Sequence, residues 1–360
     1  MRTDCKQFNG YKPCRPHKED GRHCDNCSEY APQGPVILVI KLRAAGEVIR
    51  NTPLIHKILQ AKPNAQIFWL TEYPDLVPVE AVYKVLKWGF ESATVLQDVE
   101  FDTIYSLDKD LDACALANKI KSRSKKGFTQ KNGTILPFDE DARPKWECGI
   151  FDDLMRENKK HYVEEIFKIC GFKFNDEKYW LPKYRVPALD VDTHKKVVVL
   201  NTGAGEAWRP RRYSLESWGC VARALIDQGR EVILAGGPAE DGINKRISQM
   251  TGAKYYGTFS YLDFIGLLSI ADVIATSISF AFHVAVGLGK PVVALNNTFN
   301  RNEFYMYGKG EILEPNLPCL NCYKNDFDET CVTKNCMDLI KPLDVVSAIN
   351  DQIALVSTGR

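Results

Sequence analysis

The sequence predicts an α/β protein of two doubly wound parallel-sheet domains with a cleft between them. Three observations predict it. The chain has 360 residues, about twice the usual single-domain size. Short apolar runs rich in β-branched residues alternate with amphipathic stretches, the pattern of βαβ units. A polar, proline-containing stretch from Pro182 to Lys195 separates one such series from a second and reads as an interdomain linker. Lys plus Arg number 47 and Asp plus Glu 46, for a net charge of +1. That balance gives no general reason to expect nucleic acid as a partner.

Residues 1–33 are polar, rich in cysteine and without periodicity, and read as a loop-rich appendage. The first domain is expected over 34–185. The run Pro35-Val-Ile-Leu-Val-Ile-Lys41 reads as a strand buried on both faces. A turn at Ala44–Glu47 leads to an amphipathic helix over 48–61, with Ile49, Leu54, Ile55, Ile58 and Leu59 as its stripe. The alternation then predicts a strand over 66–70, a helix over 79–88, strands over 93–96 and 103–107, and a helix over 111–121. Residues 145–171 are aromatic and charged, and read as helical. The second domain is expected over 196–343. Strands are predicted over 197–200, 231–235, 273–275 and 291–295, and helices over 215–228, 261–270 and 282–288. The tail, 344–360, reads as a final amphipathic helix. In such sheets ligands bind at the carboxyl ends of the strands.

Four segments carry candidate chemistry at those ends. After the first strand, Gly46 allows a tight turn and Glu47 falls at a helix N-terminus. Glu47 is there either a first-turn carboxylate favoured by the dipole or a general base. The loop Asn201-Thr-Gly-Ala-Gly-Glu-Ala-Trp-Arg-Pro-Arg-Arg-Tyr213 offers backbone N–H groups and three arginines, Arg209, Arg211 and Arg212, to a diphosphate. The plainer alternative is a solvated basic loop. Gly236-Gly-Pro-Ala-Glu240 lets a ligand approach the backbone, and Glu240 can accept bonds from ribose hydroxyls. Thr276-Ser-Ile-Ser-Phe-Ala-Phe-His283 points helix N–H groups at the same place, with His283 either a core histidine or a site residue.

These pieces, in this order, resemble the heptosyltransferases of glycosyltransferase family 9. The resemblance rests on Val39-Ile-Lys-Leu-Arg-Ala-Ala-Gly-Glu-Val-Ile-Arg-Asn-Thr-Pro-Leu54, Asn201-Thr-Gly-Ala-Gly205 with Arg211-Arg-Tyr213, Gly236-Gly-Pro-Ala-Glu240, and the His283 helix followed by Gly287-Leu-Gly-Lys-Pro-Val-Val-Ala-Leu295. It spans roughly residues 35–350 and implies the GT-B architecture of two Rossmann-like domains. It also implies an ADP-heptose donor and inverting transfer to a hydroxyl of a lipopolysaccharide core or other surface glycan. By resemblance Glu47 is the base, in place of the family's usual Asp. Thr202, Gly203, Gly205, Arg211, Arg212, Glu240, Ser279 and His283 hold the donor. The family's Asp-Thr-Gly is replaced by Ile278-Ser279-Phe280. Two alternatives stay open: a protein O-heptosyltransferase of the iron-binding type, and a metal- or redox-responsive binding protein on a degenerate transferase scaffold.

Eight of the twelve cysteines fall in two sets, Cys5, Cys14, Cys24, Cys27 and Cys319, Cys322, Cys331, Cys336. Each set has one C-x-x-C pair and two further thiols. Four thiolates around one ion make a closed, structural site, so the sets are expected to hold structural zinc or iron, one ion or two, as separate sites or by cross-pairing, with free thiols as the alternative; no catalytic metal is expected. No apolar run follows Met1 and none approaches the roughly 20 residues of a membrane helix. A cytoplasmic protein is expected, with peripheral contact at the inner membrane. The basic stretch 119–126 is either an acceptor or lipid-headgroup contact or a solvated helix end.

Overall fold

The structure is a computed structural model that describes residues 1–205 and 208–357. It divides into two compact units. The first holds residues 1–43, 52–146 and 166–173, and the second holds 44–51, 147–165 and the chain from 174 onward.

The first unit carries a six-stranded sheet of β1 (Val36–Ile40), β2 (Gln66–Thr71), β3 (Lys84–Lys87), β4 (Phe101–Ser106), β5 (Ser122–Lys131) and β6 (Thr134–Pro137). The order is β3-β2-β1-β4-β5-β6, parallel except for the β5–β6 hairpin. The central strand β1 lies between two neighbours and is covered on both faces, which is why it is a continuous apolar run. Leu38 and Ile40 join Phe68, Leu70, Phe101, Ile104 and Leu116 in one core. The hairpin turns at Asn132-Gly133, both at positive φ (50° and 80°), the backbone of a type I′ turn. Gln130 Oε1 accepts the Gly133 N–H at 2.9 Å.

Several expectations are corrected here. The helix expected over 79–88 is replaced by edge strand β3, whose pairing with β2 outweighs the local pattern. The strand expected over 93–96 is a helix, Phe90–Gln97, with only Leu96 buried. Pro53 splits the helix expected over 48–61 into Ala45–Arg50 and Pro53–Ala61. Proline lacks an N–H and suits a first turn. The basic stretch at 119–126 is no helix end beyond Lys119, because β5 starts at Ser122. Its charges are partly engaged: Arg123 meets Asp102 at 3.0 Å, and Lys126 lies 3.6 Å from both Asp139 and Asp141.

The second unit carries β7 (Val197–Asn201), β8 (Glu231–Ala235), β9 (Lys254–Tyr255), β10 (Val273–Ser277), β11 (Val292–Leu295) and β12 (Gly310–Leu313). The order is β12-β11-β10-β7-β8-β9, parallel throughout. Val198, Leu200, Val232 and Leu234 pack with Trp218, Leu225 and Ile247 on one face, while Val199, Ile233 and Ile274 are buried on the other. Ser214 and Ser260 cap the helices Leu215–Asp227 and Tyr261–Ser269 by accepting the N–H groups of Ser217 and Asp263. The last helix, Pro342–Ser357, supplies Val345, Val346 and Ile349 to this same core. Residues 358–360 of the expected tail lie outside the described residues.

The stretch read as a linker is tied to the second unit. Asp192 N–H donates to Glu231 at 3.2 Å, Lys254 Nζ to the Asp190 carbonyl at 2.6 Å, and Arg185 pairs with Asp263 at 3.2 Å.

Candidate active site

In the second unit, strand order reverses between β7 and β10, and this switch point is where doubly wound sheets bind ligands. The loops after β8, β7 and β10 leave three adjacent strands at their carboxyl ends. Asn201 at the end of β7 donates from Nδ2 to Thr276 Oγ1 of β10 and to the Gly203 carbonyl, both at 2.9 Å.

Arg211 bridges the loops on either side of the switch point. Its guanidinium donates to the carbonyls of Ala204 and Ile278, and Ser277 Oγ donates to the Arg211 carbonyl at 2.9 Å. Nε is buried and has no partner among the described residues. Among the described residues the guanidinium meets no carboxylate, and burial pushes its pKa down to about 10. A half-buried cation that, among the described residues, meets two carbonyls and the Trp208 and Phe299 rings but no carboxylate suits an arriving anion. Arg212 is exposed, and Arg209 faces Asp326 at 3.4 Å. Glu206 and Ala207 of this loop lie outside the described residues.

Glu240 is buried and accepts the Gly237 N–H at 2.9 Å. It lies against Gly203, where an added Cβ would stand 3.0 Å from its carboxyl carbon. Thr202 Oγ1 donates to Asn244 Oδ1 at 2.7 Å, so that hydroxyl is engaged inside the unit. Gly205, at φ 75°, is exposed. Ser279 is the N-cap of the helix Phe280–Gly287, yet its side chain caps nothing and meets Thr276 Oγ1 at 3.1 Å. The first N–H groups of that helix are therefore left for a ligand or water.

The helix Ala45–Arg50 packs on the helix Phe280–Gly287. Gly46 permits it: a Cβ there would lie 2.7 Å from His283 Cδ2 and 3.5 Å from Phe280 Cα. Glu47, in the first turn, pairs with Arg50 at 2.9 Å; Glu47 is 29 % exposed and Arg50 only 7 %. The Arg50 guanidinium lies over the Tyr162 ring at 3.3 Å. Burial opposes its charge, but Glu47, with Tyr162, Glu303 and Tyr179 nearby, outweighs burial and holds the pKa above the ordinary value. Asn51 Nδ2 donates to the Glu47 carbonyl at 2.7 Å and to Tyr162 Oη at 3.0 Å.

His283 is buried and its Nδ1 has no partner among the described residues. Its pKa is pushed down to about 3, first by burial, then by Arg50 and Arg211, with Glu47 opposing. The imidazole is neutral at physiological pH, and the groups acting on it are the candidate base, its arginine and the candidate diphosphate arginine. Tyr179 stacks on it at 6.5 Å. Sequence reasoning missed Arg50, Tyr162, Tyr179 and Asn244. Only Arg50 had a local signal, at i+3 from Glu47 on a helix.

The expected metal segments are not assembled. Among the described residues no three His, Cys, Asp or Glu side chains form a ready ligand set, and all eight clustered cysteines are free. In the C-terminal set, Asn297 Nδ2 donates to Cys336 Sγ at 3.0 Å and Asp328 N–H to Cys331 Sγ at 3.4 Å. Burial pushes the Cys336 thiol up, and Cys322 and Cys319 are close enough to add to it. The four N-terminal cysteines line one small cavity.

Residues 91–334 match the family described as glycosyltransferase family 9 (heptosyltransferase). No curated protein sequence matches the chain. Among solved structures, a family 9 glycosyl transferase from Veillonella parvula DSM 2008 is similar at 16 % identity and TM-score 0.67, over 89 % of this chain and 97 % of that one. E. coli ADP-heptose lps heptosyltransferase II is similar at 17 % identity and TM-score 0.63, over 89 % and 99 %. The iron-containing dodecameric glycosyltransferase TibC from enterotoxigenic E. coli H10407 is similar at 13 % identity and TM-score 0.56, over 90 % and 77 %.

Proposed function

The chain belongs to glycosyltransferase family 9, the heptosyltransferases, and on that premise we propose that it moves heptose from ADP-heptose to a hydroxyl of a lipopolysaccharide core or other surface glycan, with inversion. Membership sets aside the reading of the chain as a binding protein on a degenerate scaffold. The observation that carries the proposal is the convergence of Glu47, Arg50 and Arg211 on the buried His283.

Glu47, paired with Arg50 at 2.9 Å, takes the proton of the acceptor hydroxyl. The acceptor oxygen bonds to the anomeric carbon as the bond from that carbon to the diphosphate oxygen breaks on the opposite face. Negative charge gathers on the departing nucleoside diphosphate. Arg211, the N–H groups of the Gly203–Gly205 loop and those following Ser279 stabilise it. Glu240 accepts from the ribose, and Thr202 holds the loop through Asn244. Neutral His283 adds no charge; it fills the contact with Gly46 that sets the height of Glu47. Exposed Arg212 meets the diphosphate from the solvent side.

The acceptor has a second reading, a protein hydroxyl, favoured by the cysteine set 319–336 together with the likeness to TibC, which is described as iron-containing. On this reading the set would hold a structural zinc or iron once its thiols, which are not gathered in this structure, were drawn together. They offer four thiols, and two of the sulfurs already receive N–H donors of the kind that tune metal-bound thiolates. Such an ion would brace the loop that follows β12 and takes no part in transfer. Among the described residues no helix is long and apolar enough to cross a membrane. The reaction is proposed to occur in the cytoplasm, with peripheral contact at the inner membrane.

Calorimetric titration with ADP, GDP and UDP tests the donor. Selective binding of ADP is expected; preference for another nucleotide would discard ADP-heptose. Release of ADP in the presence of glycan or protein acceptors then separates the two acceptor readings.

A further inference from the structure

We propose that residues 1–33 fold around one structural zinc ion held by the thiolates of Cys5, Cys14, Cys24 and Cys27. The first argument is the absence of any other core. Pro16 is the only buried residue among these 33. Yet the segment has a helix at Arg15–Asp20, a 3-10 turn at Cys24–Asn26 and a bridge between Cys5 and Pro32. A segment this small buries too little apolar surface to offset its chain entropy, and in nature metal or disulfides supply the difference.

The second argument is convergence. All four cysteines line a single cavity, which Phe8, Pro16 and His23 also border, although their thiols are not yet gathered into a ligand set. Two disulfides would draw the sulfurs into pairs about 2 Å apart and leave no shared centre. The ligands also come from four distinct places. Cys24 and Cys27 bracket the 3-10 turn as a C-x-x-C knuckle, Cys14 is the N-cap of the helix, and Cys5 sits on the bridge. The bridge is flanked by bonds from Lys6 N–H to the Ala31 carbonyl (2.9 Å) and from Gln33 N–H to the Asp4 carbonyl (2.7 Å). One ion there fixes the start of the chain to the residues that lead into β1.

The third argument is charge. Four thiolates on a divalent ion carry a net charge of −2; Arg2 borders the same cavity, as does Arg22, which is already paired with Asp20 and Glu29. Binding releases the four thiol protons and changes no oxidation state. The thiols ring the cavity as separate side chains, and the ion draws them into the tetrahedron. The four ligands belong to the first unit, whereas the cysteine set 319–336 and the donor loops belong to the second.

The test uses the full-length protein, purified under reducing conditions and loaded with zinc alone. Zinc is counted by elemental analysis in the unsubstituted protein, in Cys24→Ser/Cys27→Ser and in Cys319→Ser/Cys322→Ser. The first variant should hold one zinc fewer per chain than the unsubstituted protein, and the second should retain that zinc. Equal zinc in the unsubstituted protein and Cys24→Ser/Cys27→Ser would overturn the proposal. So would a thiol count, on unreduced and denatured protein, showing the four N-terminal cysteines oxidised. Should that variant fail to fold, chelation of the unsubstituted protein gives the same reading. Cleavage confined to residues 1–33 on chelation, and reversed by zinc, is expected. A protease pattern unchanged by chelation would overturn the proposal.

Discussion

Replacing Arg211 by methionine should cost much affinity and little stability. The side chain is half-buried, and burial holds its pKa down at about 10. A fall of that size corresponds to roughly 3 kcal/mol of penalty on the charged form. The sign is unfavourable to folding at every pH below about 10, because the unfolded chain holds the proton more tightly than the folded one. Against this stand two charge-assisted bonds, to the Ala204 and Ile278 carbonyls, each contributing about 1.5–3 kcal/mol. The two effects largely cancel, so unfolding free energy should change by less than about 3 kcal/mol. The bound diphosphate is different. It brings the carboxylate-like partner that the guanidinium lacks, and losing one member of a desolvated charge pair costs about 2–5 kcal/mol. That is a roughly 30- to 4000-fold rise in the Kd for ADP. Calorimetric titration and denaturant unfolding on the same samples read both quantities. A variant that keeps its ADP affinity and loses more than about 3 kcal/mol of stability would refute the reasoning and make Arg211 a tie between the loops after β7 and β10.

Further outcomes follow from the same geometry. Glu47→Gln should lower turnover by about 10²–10⁴-fold while leaving the Kd for ADP nearly unchanged, as read by initial rates and titration; unaltered turnover would remove Glu47 as the base. Gly46→Ala should destabilise by about 1–3 kcal/mol, because its Cβ must displace the buried His283 ring. Chemical denaturation measures that cost, and a neutral result would mean the two helices are free to separate. His283 is held neutral, its folded pKa of about 3 lying below the unfolded 6.5. Its contribution is complete above about pH 6.5 and is lost as pH falls towards 3, so His283→Gln should flatten stability against pH in that window. Arg50→Met should lower turnover by removing the cation paired with Glu47; unchanged initial rates would show that Arg50 does not hold the base.

How much of this was legible beforehand depended on whether the information was local. The sequence by itself determined the doubly wound class, because strands buried on both faces must be continuous apolar runs such as Val36–Ile40 and Val197–Leu200. It also determined which loops to watch, because glycine and arginine at strand ends have few other uses. It carried one signal that went unread, Asn132-Gly133, whose paired positive φ angles turn the β5–β6 hairpin. Where local pattern and long-range pairing disagreed, pattern lost: 84–87 is a strand because β2 lies beside it, and Phe90–Gln97 is a helix despite Thr94 and Val95. Only the tertiary structure decided the surroundings of Glu47. Arg50 was one turn away and visible, but Tyr162, Tyr179 and His283 are separated from it by more than a hundred residues, and nothing in local spacing says which aromatic ring a buried guanidinium will find. Burial likewise belongs to the fold alone, and with it the neutral state of His283 and the lowered pKa of Arg211, because desolvation is a property of everything packed around a charge and not of its neighbours in sequence.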